Sequence, residues 1–416
     1  MKKISIVFLF VFCFVLESLA QLSVGGYGEA VMTRNFYSDS WQRYIKPEDY
    51  ASDESHGRFD LPHFVVNLGY DFGQGWTMSS EIEFEHGGTE SAVEMEADEA
   101  GEYESEIERG GEVALEQFWI QKSWNKALNL RMGHIIVPVG LTNQYHLPVE
   151  FFTNYRQEGE STIFPCTWHE TGLSLWGRLG RWRYEWQFLA GLDSDRFGSA
   201  NFIAGGAGSP YEFKIANNYA TAMRHDFYLL MGLRLGLSGY YGHSFDNSLR
   251  KNKKYQDCKG EVMIGAFDFH YDAHHLVVRG NVDYAHLNDS YEITQFNKSM
   301  SSDSPSPHQN VASDALSASI QAGYDVFAHV PAMKKDNKKL YVFAHYEFYD
   351  SMFKTVKADM DYPQYARHRM AAGINYYPMN EIVIKAEYSK RFLVEPFIDE
   401  PSVSLGIAYC GFFTRK

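Results

Sequence analysis

The sequence predicts an all-β fold, a sixteen-stranded antiparallel transmembrane β-barrel, and three observations support this prediction. One apolar segment opens the chain, and no second segment is long and apolar enough for a membrane helix. Short segments of alternating polarity then continue to the last residues. The connections between these segments are alternately short and long, which is typical of outer-membrane barrels with an even number of strands.

The first 20 residues have the features of an export signal. Lys2 and Lys3 form a basic start, residues 4–16 form an apolar core, and Ser18 and Ala20 are small residues suited to a cleavage site. The alternative is a transmembrane helix, but the apolar core is short for spanning a bilayer. We expect cleavage after Ala20 and one barrel domain over residues 21–416.

Charge and composition narrow the function classes. The full chain carries a formal net charge of −15, and removing two lysines and one glutamate with the signal leaves −16. Such an acidic chain without a basic stripe does not suit nucleic-acid binding. Aromatic residues make up 16% of a chain whose mean hydropathy is only −0.36. This combination favours an outer-membrane barrel, with a large secreted β-sandwich as the alternative.

The three cysteines beyond the signal, Cys166, Cys258 and Cys410, are sparse and odd in number. They indicate neither a disulfide framework nor a zinc site, and a single bridge between Cys166 and Cys258 is left open.

Alternation with a period of two is clearest between Gln74 and Glu85. One face of this segment is largely apolar and the other is polar and acidic, the acidic positions being Glu81, Glu83 and Glu85. The pattern recurs around residues 128–136, 182–192, 276–284 and 382–391. Faces rich in Trp and Tyr opposite such charged faces favour a barrel over a sandwich.

Seven short and eight long connections join the sixteen predicted strands. The long ones are expected near residues 38–59, 87–112, 141–167, 194–216, 247–259, 288–312, 351–365 and 394–400. Aromatic residues beside the short turns are expected to form a girdle: Tyr70, Phe72, Trp76, Trp124, Trp182, Tyr228, Tyr271, Tyr376 and Phe413. We expect Ser402–Phe413 to close the barrel against Leu22–Phe36.

Two stretches carry a resemblance to a known family. The first contains Ile136-Val-Pro-Val-Gly-Leu, His146-Leu-Pro and Pro165-Cys-Thr-Trp-His-Glu-Thr-Gly, and the second is Gly232-Leu-Arg-Leu-Gly-Leu-Ser-Gly-Tyr-Tyr-Gly. Both stretches are similar to the phosphate-selective porin O and P family of outer-membrane porins, known from the Bacteroidetes. The resemblance implies a sixteen-stranded barrel, usually a homotrimer, whose third long extracellular loop folds inward. Here that loop is Leu141–Thr167, with Tyr145, His146, Arg156 and Trp168 as candidate constriction residues.

The charged residues expected to face the lumen are of both signs. The basic set is Arg131, Arg178, Arg183, Arg224, Arg234, Arg279, Arg367, Arg369, Lys385 and Arg391. The acidic set is Glu29, Asp71, Glu81, Glu83, Glu85, Glu185, Asp226, Glu261, Asp268, Asp283, Glu347 and Glu387. The arginines either form a path for anions or brace the wall through ion pairs with these carboxylates. This mixture departs from the lysine-rich and arginine-rich lumen of anion-selective relatives and argues against phosphate selectivity.

The segment Gly87–Glu112 contains ten carboxylates and one base, Arg109. It either collects divalent cations or cationic solutes at the outer mouth or is a solvated loop. The sequence singles out no metal site and no catalytic motif, so we expect neither a cofactor nor an enzyme.

These observations predict a channel for passive diffusion of small hydrophilic solutes and inorganic ions. Its expected place is the outer membrane of a Gram-negative bacterium, in contact with membrane lipid. Two alternatives are a phosphate-selective or anion-selective porin and, from another class, a surface adhesin or assembly barrel with a closed lumen.

Overall fold

A computed structural model describes residues 22–53, 56–86, 90–97, 103–110, 113–208, 214–245, 247, 255, 257–302, 304 and 306–414, with backbone alone for 90–97 and 103–110. The predicted export signal lies outside these residues. So do the side chains of the acidic segment 87–112, and the prediction that this segment collects cations stays a prediction.

Sixteen antiparallel strands form the barrel, as predicted. They are β1 (Leu22–Asn35), β2 (His63–Gly73), β3 (Trp76–Glu85), β4 (Val113–Asn125), β5 (Leu128–Ile136), β6 (His169–Leu179), β7 (Trp182–Ala190), β8 (Tyr219–Leu230), β9 (Leu233–His243), β10 (Glu261–Ala273), β11 (Leu276–Leu287), β12 (Asp314–Asp325), β13 (Lys339–Lys354), β14 (Ala366–Met379), β15 (Ile382–Leu393) and β16 (Glu400–Phe412). Each strand pairs with the strands before and after it in the chain.

The first and last barrel strands close the cylinder. Their register runs from Gly25 opposite Phe412 to Asn35 opposite Ser402, which confirms the predicted closure. A closed barrel satisfies the backbone hydrogen bonds of every strand, which a hydrocarbon environment requires. A short strand, Gly57–Asp60, pairs with the long-loop end of β1 and brings the sheet to 17 strands.

Short and long connections alternate around the barrel. The short ones are residues 74–75, 126–127, 180–181, 231–232, 274–275, 326–338 and 380–381. The sixth is the longest because it holds a 3-10 turn and the helix α4 (Pro331–Lys335). Long connections contain the helices α1 (Pro47–Tyr50), α2 (Glu158–Ile163) and α3 (Ser290–Lys298). The acidic segment contains an unpredicted hairpin, Glu90–Ala97 paired with Tyr103–Gly110.

The two faces of the strands differ as the alternation predicts. Leu237 and Val282 on the outer face are 57% and 52% exposed, whereas Arg224 and Asp268 on the inner face are 0% exposed. Large apolar side chains therefore face outward, where lipid would contact them, and charged side chains face inward. No helix among the described residues is long and apolar enough to cross a membrane.

Two facing assignments from the sequence are wrong. Glu261 lies on the outer face of β10 beside Met263, and its carboxylate accepts a hydrogen bond from the Tyr241 hydroxyl at 3.2 Å. Tyr228 was expected in the outer girdle, but it lies on the inner face, where the Arg178 guanidinium is 4.3 Å from its ring centre. Tyr228 continues the inward alternation of Arg224 and Asp226, and the register irregularity lies after it, between Tyr228 and Leu230.

A hydrophobic core lies at the long-loop end, where several loops pack on one another. Trp168, Phe197, Phe202 and Ile293 are among its buried members. This core fixes the loops over the β5–β12 side of the barrel. All three cysteines of the described residues are free, so the bridge left open by the sequence is not formed.

Candidate functional site

The third long connection, residues 137–168 and here called loop L3, folds into the barrel as predicted. The Asn154 amide donates to Ser404 at 2.8 Å, and its backbone N–H donates to Glu387 at 2.7 Å. The Lys385 ammonium donates to the carbonyl oxygens of Phe151 and Thr153 at 2.9 and 2.8 Å. Since Ser404, Glu387 and Lys385 lie on the last two strands, L3 crosses the lumen to the far wall.

Aromatic packing holds the tip of L3 against the inner wall. Phe152 is 3% exposed and stacks on Phe343, with ring centres 5.5 Å apart and an interplanar angle of 11°. The same cluster contains Val277, near the short-turn end of β11. A Cβ atom at Gly323 would overlap the Phe152 ring, so this glycine provides the space that the ring fills. The tip therefore reaches deep into the barrel.

An ion-pair cluster holds the second half of L3. The Glu158 carboxylate accepts from Arg391 at 2.6 and 2.7 Å and from the Tyr349 hydroxyl at 2.7 Å. Arg369 lies 3.3 Å away and also pairs with Glu347 at 2.9 Å. Burial alone would raise the pKa of Glu158, but Arg391 and Arg369 hold it well below its usual range. Glu158 therefore fixes α2 to the wall as an ionised group.

The Glu160 carboxylate organises the start of L3. It accepts from the backbone N–H groups of Leu141 and Thr142, both at 2.6 Å, and from the Asn281 amide at 3.2 Å. Burial raises its pKa despite these hydrogen bonds, and the nearby Asp268 carboxylate adds to the rise. Gly140 has a φ of +83°, and a Cβ there would meet the Glu160 carboxylate. A glycine is required at this close approach.

Several of the predicted inward arginines are neutralised within the wall. Arg224 donates to Asp226 at 2.9 Å and to Asp268 at 3.0 and 2.9 Å, and Arg234 pairs with the same two carboxylates. Arg183 pairs with Asp226 at 3.2 Å as well as with Glu185. These contacts support the bracing interpretation for this group. Buried, fully paired arginines offer little positive potential to a passing ion.

Several basic side chains of the lumen form no ion pair within the described part of the chain, among them Arg131, Arg279 and Arg156. Arg131 lies between the rings of Trp119 and Trp176, 4.5 and 5.7 Å from their centres. Arg279 lies 6.0 Å from the centre of the Tyr145 ring. Arg156 of L3 is the third and donates from Nε to the His146 carbonyl at 3.2 Å. These three are the strongest candidates for attracting anions.

Other predicted site residues have clear positions. Arg178 is exposed near a short turn and donates to the Gly180 carbonyl at 3.0 Å. Arg367 donates to the Tyr44 hydroxyl at 3.1 Å near the long-loop end. Trp168 is fully buried in the loop core, where it packs on Tyr240 at 4.8 Å. Its position is that of an anchor for the end of L3.

Acidic side chains face the lumen from the wall formed by β1–β4. They are Glu29, Glu81, Glu83, Glu85 and Glu116. Burial lowers the pKa of the Arg156 guanidinium, but Tyr27 and the nearby Glu116, Glu29 and Glu83 carboxylates outweigh burial and raise it. The region where L3 meets this wall is thus basic on one side and acidic on the other. We call it the eyelet.

Several buried polar atoms in the eyelet have no hydrogen-bond partner among the described residues. They include Arg156 Nη2, Glu116 Oε2 and the Tyr27 hydroxyl. The neighbouring His146 has a pKa lowered to about 3 by burial and by Arg156, so its ring is neutral at physiological pH. A space lined by such atoms suits water or a polar solute.

Sequence reasoning found Arg156, Tyr145 and His146 but not their partners. Glu116 and Glu158 were missed, because nothing local in the sequence shows which wall residues a folded-in loop will meet. His63 was also missed. Counting back from the turn at residues 74–75 would pair it with His86, and a register shift between Asp71 and Gly73 brings it opposite Glu85 instead.

Comparisons with known proteins agree with the barrel. No protein-family model matches the chain. A protein of Aquifex aeolicus (strain VF5), described as an uncharacterized protein, is 25% identical over 376 residues, 89% of this chain and 76% of that protein.

Two solved structures are similar in fold. The anion-selective porin from Comamonas acidovorans gives a TM-score of 0.51 at 10% identity, covering 94% of this chain and 99% of that chain. The outer-membrane expressed OmpT of Vibrio cholerae gives 0.50 at 10% identity, covering 94% and 98%. The chain has the fold of the sixteen-stranded outer-membrane porins.

Proposed function

We propose that this protein is an outer-membrane porin, a channel through which small hydrophilic solutes and ions diffuse passively. The observation that carries the proposal is the eyelet, where L3 crosses a polar lumen. At that point buried polar atoms of Arg156, Glu116 and Tyr27 have no partner within the described residues. An apolar plug would leave these atoms unsatisfied at a cost of about 1–3 kcal/mol each, whereas water or a polar solute satisfies them.

In this proposal the barrel separates the lumen from lipid, and L3 limits the size of the solute. The outer face contacts lipid, and the sixteen strands enclose a lumen wide enough for water. L3 then sets the size limit. Its anchors, Phe152 and Glu158, hold it at two separate points on the wall. Passage follows the concentration gradient, and the chemistry of the eyelet calls for neither catalysis nor a cofactor.

The sign preference follows from which charges remain unpaired. Arg131, Arg156 and Arg279 form no ion pair within the described part of the chain, while the carboxyl groups of Glu83 and Glu116 lie near Arg156 at the eyelet. We therefore infer a mixed eyelet with a weak preference. Selectivity for anions, as in the name of the Comamonas porin, or for phosphate, as in the resembling family, is the runner-up. It would require Arg131, Arg156 and Arg279 to outweigh the carboxylates.

Location and assembly follow from the same proposal. The protein would be exported by the signal over residues 1–20 and inserted into the outer membrane of a Gram-negative bacterium. Assembly as a homotrimer is also part of the proposal.

One observation favours a second candidate, a barrel with a closed lumen that acts through its surface loops. L3 packs tightly on β11–β16, since Phe152 and Asn154 are 3% and 1% exposed. If this packing extends across the whole lumen, no ion passes and the long loops would carry the function as an adhesin or an assembly partner.

Planar-bilayer recording separates these functions. Purified folded protein should produce stepwise conductance, and heat-denatured protein from the same preparation is the control for contaminants. The reversal potential under a salt gradient then measures the sign preference. Persistent silence of folded protein would contradict the channel and support the closed barrel. A strongly anionic reversal potential would support the anion-selective alternative.

A further inference from the structure

We propose that His63, Glu83 and Glu85 form a binding site for a divalent transition-metal ion on the lumen wall. One ligand atom from each residue lies within 4.8 Å of the other two. The His63 Nδ1 atom is 2.7 Å from the Glu83 carboxylate. The cluster lies at the long-loop end of β2 and β3. All three residues precede the acidic segment 87–112 in the chain.

The backbone fixes the three side chains on one face. Glu83 and Glu85 are two positions apart on β3, so both point into the lumen. His63 is the residue directly opposite Glu85 in the register between β2 and β3. Side chains at paired positions are neighbours across the two strands. The site is therefore built on rigid strands next to the mouth, and its geometry does not depend on a loop.

The ligand set selects the class of ion. One imidazole nitrogen with two carboxylates suits Zn²⁺ and similar first-row ions, because Mg²⁺ and Ca²⁺ prefer oxygen ligands alone. Ligand atoms around Zn²⁺ are separated by about 3.3 Å when each lies about 2.0 Å from the metal. The ligand atoms of the three residues now lie within 4.8 Å of one another, and rotation of the two carboxylate groups can shorten these separations to about 3.3 Å. A fourth position would face the lumen and take water.

A second carboxylate supports the histidine. Glu29 Oε1 on β1 lies 3.8 Å from His63 Nε2, on the side of the ring away from Glu83. Metal-bound histidines commonly direct their other ring nitrogen toward a carboxylate, which sets the tautomer and the ring orientation. With Nε2–H directed at Glu29, the Nδ1 atom presents a lone pair to the metal. Both carboxylates are nearly buried, with side chains 4% and 5% exposed.

The site adjoins the eyelet, which gives it a consequence for transport. The Glu29 and Glu83 carboxylates lie near enough to the Arg156 guanidinium of L3 to raise its pKa, although neither forms an ion pair with it. A bound dication would weaken the attraction between these carboxylates and Arg156 and would repel Arg156. This consequence rests on the proposed channel function, while metal binding itself does not.

Isothermal titration of folded, detergent-solubilised protein with Zn²⁺ tests the site. We expect binding by the wild type that is weakened at least about tenfold in H63A and in the nearly isosteric E83Q. The matched control is H243A, which removes the histidine of an outward-facing pair whose Nε2 lies 3.3 Å from Glu261. That variant should keep wild-type affinity. Circular dichroism verifies that each variant is folded.

Two results would overturn the metal site: no Zn²⁺ binding by the wild type, or wild-type affinity in folded E83Q. Conductance is the separate readout for the consequence. Zn²⁺ should alter the conductance of the wild type and leave E83Q unchanged. A barrel that binds Zn²⁺ through His63 but never conducts would overturn the channel proposal and leave the metal site supported.

Discussion

Glu158 of L3 and Arg391 of β15 form a two-point ion pair inside the barrel, with Nε to Oε2 at 2.6 Å and Nη2 to Oε1 at 2.7 Å. The two residues are 233 positions apart in the chain. Because the guanidinium and the carboxylate meet through two parallel hydrogen bonds, the pair fixes direction as well as distance. It sets how far α2 stands from the wall.

We expect E158Q to loosen L3 and to change single-channel conductance by roughly twofold or more, since a neutral amide cannot hold two arginines by charge. The measurement is single-channel recording, and D399N is the matched control. Asp399 pairs with Lys390 at 2.7 Å, but that pair is 36% and 31% exposed. Exposed pairs contribute little, so D399N should behave as the wild type. Equal conductance in wild type and E158Q would show that this pair does not position L3.

The same pair predicts a pH dependence of stability. The pKa of Glu158 is held below its usual value of 4.5 by Arg391 and Arg369 although burial opposes them. The stabilisation is therefore fully present above pH 4.5 and is lost as the pH falls through the lower folded value. The difference in unfolding free energy between wild type and E158Q should stay constant from pH 8 to about pH 5 and shrink below that. Urea titrations of folded protein at each pH measure it, and a difference that disappears by pH 6 would contradict the assignment.

Much of the barrel could be predicted from the sequence because its signal is local. Period-two polarity requires only neighbouring residues, and it predicted the strand number, the closure and the alternating connections. The facing of Glu261 was wrong, although its strand alternates without interruption from Glu261 to Asp268. Strict parity from Asp268 would have placed Glu261 outward, since the two are an odd number of positions apart.

The contacts of L3, unlike the strands, could not be predicted from local sequence patterns. Its inward fold came from the resemblance, but its contacts join residues more than 150 positions apart, such as Asn154 with Glu387 and Phe152 with Gln321. No periodicity encodes such pairs. Which arginines are paired and which are unpaired also depends on contacts between residues far apart in the chain. The positive charge of Arg224 is offset by the Asp226 and Asp268 carboxylates, to which its guanidinium donates hydrogen bonds.

A substitution of Gly323 should displace the tip of L3. A Cβ atom at this position overlaps the Phe152 ring, so G323V forces the ring off its place against Phe343. We expect a loss of about 1–3 kcal/mol in unfolding free energy, as for other overpacked sites, together with altered conductance. G265V is the matched control, because nothing lies within 4 Å of a Cβ at Gly265. Equal stability of G323V and G265V would show that Phe152 does not depend on this space.

The charge of Arg156 should govern the sign preference of the channel. Arg156 has no ion-pair partner within the described residues and faces Glu116 and Glu83 across the eyelet. Its removal leaves the carboxylates unopposed, so R156Q should move the reversal potential under a salt gradient toward cations. R178Q is the control, because Arg178 is exposed near a short turn and away from L3. If R156Q and R178Q give the same reversal potential as the wild type, the eyelet does not control selectivity. A shift in R178Q alone would place that control at the short-turn end of the lumen.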